Sequence, residues 1–528
     1  MSTPLYHYGL QKESSADDVI AALAEQFNIR SEAETTLSRV YLDSFDWRLY
    51  QAGDRLYSKP FEHQLDLVWI GEGAGGEVHT HLDRMPQFFT DLPQGALRER
   101  LSRLLDIRAL MPQVEVKGRV RLYKLLDGEE KTVLRLSIET LSSRNPEEDV
   151  FHDLPERISL QPVRGYGTVL KQVESFLVRN LGLDRLGDGL LEEALGVLGR
   201  RPADYSSKLD FHFDPNAPAG SVAREIHLNL LDTLERNLPG TCANVDTEFL
   251  HDLRVAVRRT RSALTQIKGV FRDEEVEPFK SGLGWIGQIS GPSRDLDVYL
   301  LDYDSYRASL PERFRADLDP LRHFLEEHRQ SAYREMVSHL NSSDCKRLLE
   351  DWRHFLNCPH EGSEGGDAAD KPVGQVANKR IYRTYKRVLS EGAQINDESS
   401  ATAFHELRRS CKKLRYLIEF FQSLYPDDKI QPLIKALKML LDNLGAYQDT
   451  EVQANKLREF AHQMVAEGEV PADTLLAMGM LVDGLLRRQQ QARDEFYSHF
   501  RVFAGKENKA ECKALFSAAA SSGSVGAK

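Results

Sequence analysis

The spacing of apolar residues divides the chain into two parts. In residues 1–200, short runs alternate apolar with polar side chains, and turn-forming stretches such as DGEE separate them. Short alternating strands with helices among them predict an α+β or barrel domain. From residue 221 onward, apolar residues recur with the period of an α-helix, which predicts an all-α region.

Breaks in these patterns set the expected boundaries. We expect a β-rich domain at 1–200, a linker at 201–220 and a helical domain at 221–510. A glycine-rich break at 357–374 divides the helical domain into 221–356 and 375–510, and this composition is typical of a mobile loop. The small and polar tail, 511–528, is expected to be disordered.

One basic helix occurs twice in the helical domain. The segments HDLRVAVRRTR and HELRRSCKKLR begin at His251 and His405, an offset of 405 − 251 = 154, and the match continues without a gap to Asp295 and Asp449. A long internal repeat indicates duplicated helical units, here two packed bundles of four or five helices each. The candidate anion-binding residues of the two copies are His251, Arg254, Arg258, Arg259 and Arg261, with His405, Arg408, Lys412, Lys413 and Arg415.

These side chains form a charged stripe on a helix with an apolar back. Positions 251, 254, 258 and 261 share one helical face, and like charges four residues apart repel each other. The simplest alternative is that nearby acids, namely Asp295, Asp297, Asp449 and Glu451, neutralise the stripe. Because the repulsion is built twice at matched positions, we favour an anion site. Arginine donates paired hydrogen bonds to phosphate, so two facing stripes would hold a flexible polyanion in a salt-sensitive manner.

A further set of cations could extend this site as a secondary basic wall. The segment KRIYRTYKRVL (379–389) mixes tyrosines with cations, which keeps RNA or DNA as an alternative ligand, although bases are usually held on aromatic platforms. The wall residues are Lys379, Arg383, Lys386, Arg387, Arg329, Arg334, Arg488 and Arg493. The last four belong to a weaker part of the internal repeat, which pairs Arg329 with Arg488 and Arg334 with Arg493.

Composition narrows the functional classes. The formal net charge is −12, whereas a dedicated nucleic-acid binder is usually basic. The five cysteines form no C-x-x-C pair, so we expect neither a zinc site nor disulfides. Neither a signal sequence nor a long apolar run occurs, and we expect a cytoplasmic protein without a membrane span. No metal is expected at His251 or His405, which lack ligand partners one turn away, and no common catalytic motif is found.

The helical domain resembles the CHAD family, the conserved histidine α-helical domain. The resemblance lies in H-D-L-R-x-x-x-R-R-x-R followed by G-x-x-R-D-L-D-V, and in H-E-L-R-x-x-x-K-K-L-R-Y followed by G-x-x-Q-D. It implies an all-α pair of four-helix bundles with pseudo-twofold symmetry, whose basic cleft, lined by the ten candidate residues, binds inorganic polyphosphate. It also implies association with polyphosphate granules. Arg294 falls in the R-D-L-D pattern, but the second copy has Gln448 there, which leaves its role open.

The N-terminal part resembles the CYTH or triphosphate-tunnel fold, an antiparallel β-barrel that binds triphosphate and divalent metal. The resemblance lies in residues 41–59, 114–143 and 157–173. The family's activity depends on an E-x-E-x-K strand, and the corresponding stretch, 4–13, lacks that glutamate pair. We therefore expect a degenerate barrel without a metal cofactor, with Lys117, Arg119 and Arg121 on one strand face as a solvated row or an anion contact. A triphosphate or polyphosphate hydrolase remains the alternative function.

Overall fold

The computed structural model describes residues 5–10, 15–71, 76–187, 189–358, 366–468 and 470–517. The chain divides into two compact units, Met1–Ser207 and Lys208–Lys528. No separate linker lies between residues 201 and 220. Tyr205 is buried against Phe45 in the first unit, and Phe211 is buried in the core of the second. The residues predicted to form a linker therefore belong to the two domains, in part to each.

In its described residues, the first unit consists of an antiparallel sheet and five α-helices. The strands are β1 (Tyr6–Gly9), β2 (Asn28–Ser31), β3 (Thr35–Asp43), β4 (Arg55–Phe61), β5 (Gln64–Ile70), β6 (Val78–Leu82), β7 (Met111–Leu126), β8 (Thr132–Arg144), β9 (His152–Asp153), β10 (Arg157–Pro162) and β11 (Asp184–Leu186). The helices are α1 (Ala16–Gln26), α2 (Arg48–Gln51), α3 (Ala96–Leu105), α4 (Gly167–Arg179) and α5 (Leu190–Gly196).

The strand order is β11-β1-β10-β8-β7-β3-β4-β5-β6, with β2 on β7 and β9 on β8. This confirms the antiparallel α+β domain. Over the described residues β6 and β11 are the ends of the order, so the hydrogen-bonded sheet is not a closed barrel. Alternation along β7 buries Val114 and Val116 on one face. On the other face, Lys117 lies over the Phe151 ring and Arg121 pairs with Asp17, so both cations already have partners.

The second unit is all-α, as predicted. Its helices are α6 (Ala219–Cys242), α7 (Thr247–Gln266), α8 (Asp273–Ile289), α9 (Gly291–Ser309), α10 (Asp319–Leu340), α11 (Ser343–Asn357), α12 (Val373–Gln394), α13 (Ala401–Phe421), α14 (Asp427–Glu467), α15 (Ala472–Phe503) and α16 (Lys506–Phe516). The single helix α14 corresponds to α8 and α9 together. Pro292, which cannot donate a backbone hydrogen bond, stands at the start of α9, whereas the matching residue in α14 is Ala446.

A reciprocal backbone clamp joins the two repeats. The Ala219 N–H donates to Lys371 O, and the Val373 N–H donates to Ala217 O, both at 2.9 Å. These two bonds are related by the repeat, since 373 − 219 = 154 and 371 − 217 = 154. The next pair, Gly220 to Ala369 O at 2.8 Å and Gly374 to Pro215 O at 2.9 Å, obeys the same offset. Exchange of equivalent bonds is direct evidence for a local pseudo-twofold axis.

The clamp also corrects the expectation of a mobile loop at 357–374. Residues 366–374 are tied to the first repeat, because the Gly366 N–H donates to Val270 O and the Ala368 N–H donates to Gly269 O. Backbone hydrogen bonds to residues 269–270 and 215–217, which adjoin the ends of α7 and α6, hold this segment in place. Residues 359–365 of the predicted loop lie outside the described residues.

Each hydrophobic core of the helical unit is shared by both repeats. The larger core joins side chains of α6, α7, α8 and α11 to those of α12, α13 and α16. The smaller core joins Tyr299 and Leu321 of the first repeat to Leu457 and Leu481 of the second. Neither repeat therefore completes a core alone, and the two halves form one body.

The prediction that residues 511–528 are disordered is wrong for residues 511–516. Residues 511–516 belong to α16, where Cys512 and Phe516 are buried, and the Phe516 ring meets Tyr425 edge to face with centroids 4.9 Å apart. Two buried apolar side chains offset the loss of chain entropy on ordering this helix. Residues 518–528 lie outside the described part of the chain. Over the described residues, no helix is long and apolar enough to cross a membrane.

We expect Phe516→Ala to lower the free energy of unfolding of the helical unit by about 3–5 kcal/mol, because it empties a ring-sized volume in a packed core. Chemical denaturation followed by circular dichroism measures this. Lys513→Ala, on the exposed side of the same helix, is the matched control and should change stability by less than about 0.5 kcal/mol. Equal behaviour of the two variants would contradict the docking of α16.

Candidate anion site on the two basic helices

The two basic helices take their orientation from their apolar sides. Leu253 and Val257 of α7 are buried, as are the equivalent Leu407 and Cys411 of α13. Asp246 caps α7 by accepting from the backbone N–H groups of Glu248 and Phe249. Because one side of each helix is anchored in the core, the charged stripe is held on the other side.

Contacts across the repeats bring the stripes together. Arg258 Nε on α7 donates to the Tyr416 hydroxyl on α13 at 2.7 Å. Arg259 Nη2 also reaches Glu419 of α13, at 3.5 Å. The middle of the first stripe therefore lies beside Lys412 and Tyr416 of the second.

Lys412 is at the centre of this convergence. It is half-buried, and its pKa is lowered to about 8, first by burial and then by the charges of Arg408 and Arg258, with Asp449 acting in the opposite direction. In the described part of the chain its ammonium group makes no ion pair. An anion bound here would replace the missing countercharge.

Each stripe histidine has a partner 43 residues further along, since 294 − 251 = 43 and 448 − 405 = 43. Arg294 Nη2 lies 3.0 Å from His251 Nδ1, and Gln448 Nε2 contacts His405 Nδ1. Arginine only donates, so His251 Nδ1 accepts and the proton of the neutral ring is on Nε2.

The same proton position is set in the second repeat by a relay. Arg408 Nη1 donates to Gln448 Oε1 at 2.9 Å, which fixes the amide with its nitrogen toward His405. Arg294 and Gln448, whose role the sequence left open, thus make the same contact to Nδ1 of a stripe histidine and orient its ring. In both rings the contact to Nδ1 assigns the remaining proton to Nε2, and a phosphate oxygen accepts from such an N–H group.

Several of the other candidate residues are already engaged within the protein. Arg254 donates to Gly287 O and to Ser290 Oγ, both at 2.8 Å, and burial lowers its pKa. Arg408 also pairs with Asp449 at 2.9 Å, as the neutralisation alternative predicted. Asp297 does not meet the stripe, because it pairs with Arg329.

The sequence reasoning missed the most important acid. Glu419 accepts from Arg415 Nε at 2.6 Å and also lies near Arg259, so one carboxylate serves a cation from each stripe. Its spacing of four residues from Arg415 is the signal that could have revealed it. The equivalent position in the first repeat is Thr265, since 419 − 154 = 265, so the two stripes differ in charge.

The structure does not gather the secondary basic residues into one wall. Arg329 donates to Asn244 in the loop before α7, and Arg493 donates to Asp397 O and Ser399 O in the loop before α13. These two arginines are equivalent, at an offset of 493 − 329 = 164. The sequence similarity pairs Arg329 with Arg488 instead, five residues before Arg493.

The remaining wall residues are on helix surfaces. Arg334 donates to Gln330 O of its own helix, and Arg488 lies near Tyr306 in the smaller core. Arg387 pairs with Glu391 one turn further along α12. Lys379, Arg383 and Lys386 are exposed on α12. Over the described residues, no group of three or more His, Cys, Asp or Glu side chains is placed to hold a metal ion.

Comparison with known proteins places the helical unit. Residues 225–458 match the family model of the CHAD domain. Two uncharacterized proteins of Mycobacterium tuberculosis, MT2285 of strain CDC 1551 / Oshkosh and Rv2226 of strain ATCC 25618 / H37Rv, are each 24% identical over 343 residues, or 60% of this chain. The match spans 61% of their own length.

Two solved structures overlap different parts of the chain. The CHAD domain from the plant Ricinus communis is 24% identical, with a TM-score of 0.47, and covers 56% of this chain and 95% of its own. The putative adenylyl cyclase HpAC1 from Hippeastrum, described as having a dominant triphosphatase activity, is 11% identical, with a TM-score of 0.26, and covers 38% of this chain and 99% of its own. With TM-scores below 0.5, these similarities establish no activity for this chain.

We expect Lys412→Gln to stabilise the helical unit at pH 7 by on the order of 1 kcal/mol, after allowance for solvent screening. The lysine pKa is about 8 in the folded chain against 10.5 when unperturbed. Between those values the unfolded chain binds more protons, so the native protein gains stability as pH rises. The increase in stability caused by Lys412→Gln should thus be largest below pH 8 and should disappear by about pH 10.5.

Thermal unfolding of native and variant protein across that pH range measures the effect. Lys413→Gln, one residue away on the same helix, is the matched control and should lack this pH-dependent difference. Destabilisation by Lys412→Gln at pH 7 would show that the lysine has an ionic partner in the folded chain.

Proposed function

We propose that this chain, whose residues 225–458 form a CHAD domain, binds inorganic polyphosphate between the basic faces of α7 and α13. The observation that carries the proposal is the convergence of Arg258 and Lys412, two cations from different repeats, at a place where neither has an ion pair with a described carboxylate. A chain of phosphates supplies closely spaced negative charge along both stripes, and we further propose that it recruits the protein to polyphosphate granules.

The form of the site suits a flexible, unbranched polyanion. Arg258 keeps both Nη nitrogens available because its single hydrogen bond to a described residue uses Nε, and a planar guanidinium binds phosphate oxygens in pairs. Lys412 acts as a point charge beside it, and the Nε2–H group of His405 adds a further donor. None of these contacts requires a base or a sugar.

Nucleic acid is less well matched to the same surface. Tyr385, one of the two tyrosines in the segment that suggested base stacking, is buried against Phe503, and the other, Tyr382, is half-buried with Lys386 over its ring. A ring used for core packing is unavailable for stacking. Competition between RNA and polyphosphate for the protein distinguishes the two ligands.

The hydrolase alternative rests on the N-terminal sheet. There Arg157 lies 3.5 Å from both Glu139 and Glu193, and Arg55 lies 2.9 Å from Glu192. A triphosphate would have to displace these carboxylates, two of which come from α5. Release of phosphate from tripolyphosphate with Mg²⁺ or Mn²⁺, abolished by Arg157→Gln, would favour the hydrolase.

The first test is a salt titration of polyphosphate binding by native protein and by the triple variant Arg258→Gln/Lys412→Gln/Lys413→Gln. We expect tight binding whose affinity falls steeply with salt, and a slope smaller by about 2 in the variant, because each lost phosphate contact removes roughly 0.7. The matched control is Arg322→Gln/Arg347→Gln/Arg487→Gln, which removes three exposed cations that pair within their own helices. An equal decrease of polyphosphate affinity and of its salt dependence in both triple variants would show that only net charge matters.

We expect Glu419→Gln to tighten polyphosphate binding about fivefold, because removing one nearby negative charge is worth on the order of 1 kcal/mol in a solvated cleft. Glu406→Gln is the matched control, since Glu406 pairs with Arg409 outside the cluster. Isothermal titration at one salt concentration measures both variants. Weaker binding by Glu419→Gln would mean that its carboxylate positions Arg259 and Arg415 for the ligand.

A further inference from the structure

The first turns of α15 carry more apolar surface than the fold of this chain uses. Residues 475–482 (LLAMGMLV) are apolar or glycine without exception. Met478 and Leu481 are buried in the smaller core. On the opposite side of the helix, Leu476 is 61% exposed and Met480 is 37% exposed. A helix that is apolar on every side is normally buried on every side, so this exposed side of α15 calls for a partner.

Two glycines in the same helix have no packing reason among the described residues. A Cβ added at Gly479 or at Gly484 would meet no described atom within 4 Å, although both residues lie inside α15. Glycine in the middle of a helix lowers its stability relative to alanine. That loss is explained if the backbone of another helix approaches α15 closely at these two positions.

This part of α15 is also an addition to the internal repeat. The offset of 164 that relates the two loop-binding arginines places Asp483 opposite Asp319, the first residue of α10. Residues 472–482 therefore extend α15 beyond its counterpart in the first repeat. The matched parts of the repeats do not account for the apolar surface of this extension.

The exposed face of this part of α15 is complementary in charge to itself. It consists of five exposed residues spaced three or four apart, which share one side of a helix: Asp473, Leu476, Met480, Asp483 and Arg487. Asp473 and Arg487 each stand seven residues from Met480, at opposite ends of the face. Two copies packed antiparallel about a twofold axis at Met480 would thus set Asp473 of each against Arg487 of the other.

The same axis also matches shape. Leu476 and Gly484 each stand four residues from Met480, so the leucine of one copy would fill the space left by the glycine of the other. Arg487 contacts Asp483 on its own helix, and its side chain is 79% exposed, so the guanidinium is open to a second carboxylate. Charge and shape therefore select one antiparallel register.

We propose that α15 is a dimer interface, at which two copies of this chain pack the faces around Met480 antiparallel about a twofold axis. Each copy contributes the same patch, as in other twofold dimers. From Asp473 to Arg487 the face is about 21 Å long at 1.5 Å per residue, and one pair of helices of that length buries less than the roughly 800 Å² per partner of a standard interface. The dimer is therefore weak and reversible.

A dimer would carry two of the basic clefts formed by α7 and α13. Two clefts that engage one long polyphosphate chain bind it more tightly than either cleft alone, because the second contact is intramolecular. This consequence rests on the proposed function, whereas pairing of α15 does not require polyphosphate.

Disulfide cross-linking of the full-length protein, with the exposed Cys358 replaced by serine, tests the position of the axis. Met480→Cys places one thiol of each copy at the axis, within reach of a disulfide. Gln491→Cys, which is exposed on the same helix but eleven residues from the axis, is the matched control. We expect Met480→Cys to form intermolecular disulfides at least about tenfold faster than the control under mild oxidation. Equal rates overturn the proposal.

Charge exchange tests the register without any new cysteine. Asp473→Arg sets two arginines against each other at both ends of the interface, so we expect the concentration at which half of the protein is dimeric to rise about tenfold. Addition of Arg487→Asp makes the charges opposite again and should return that concentration to near its native value. Sedimentation velocity across a concentration series, with circular dichroism to confirm folding, measures both variants.

Native protein that stays monomeric up to about 300 µM overturns the proposal, and so does a double variant that dimerises no better than Asp473→Arg. Monomeric protein that binds anionic lipid vesicles, and loses this binding in Leu476→Glu, would assign the face to a membrane surface instead. These measurements are made without polyphosphate. Loss of the dimer and loss of polyphosphate binding are therefore separate results.

Discussion

The reciprocal backbone clamp between residues 215–220 and 369–374 is the constraint on which the helical unit depends. Each repeat donates to the other the same two N–H groups at the start of its first helix. Once α6 and α12 are paired in this way, the helices that follow them, α7 and α13, are placed as equivalents about the same local axis. Both carry their cations on the side away from the core, so symmetry and burial together bring like charges together.

The two repeats have diverged where exact symmetry would be costly. If Arg258 were repeated as a second arginine, two large guanidiniums would meet near the axis, but the second copy has Lys412 there. Glu419, matched by Thr265, adds a carboxylate that serves Arg259 and Arg415 together. Arg294 and Gln448 keep the same contact to a histidine but differ by one charge. In the last two cases the second repeat carries less positive charge than the first at the matched position.

Local periodicity and the repeat were enough to predict the helical domain, the β-rich N-terminal domain and the stripes, since these depend on residues close in sequence. The antiparallel sheet was expected only from the resemblance to the CYTH fold. The docking of α16, the path of residues 208–217 and the clamp at 366–374 depend on tertiary packing of segments whose composition resembles that of loops. Phe211 and Phe516 were the available signals, because an aromatic side chain buries a large apolar area and so favours docking of the segment that carries it. Glu419 was missed because the expected acid of the second repeat, Asp449, lies in the segment GAYQD and not on the basic helix itself.

The position of Lys412 shows how binding and folding compete in this unit. A half-buried ammonium group among three guanidiniums opposes folding, and the shared hydrophobic cores of the unit supply the stability that tolerates it. A residue retained for structure alone at this position would be neutral, since an uncharged side chain of similar length removes the repulsion and still packs. The unneutralised charge is therefore better explained by a ligand than by the fold. Arg408 and Arg415 differ from Lys412 and Arg258 in this respect. Each of these two arginines has a carboxylate partner, so its charge can stabilise the fold without any ligand.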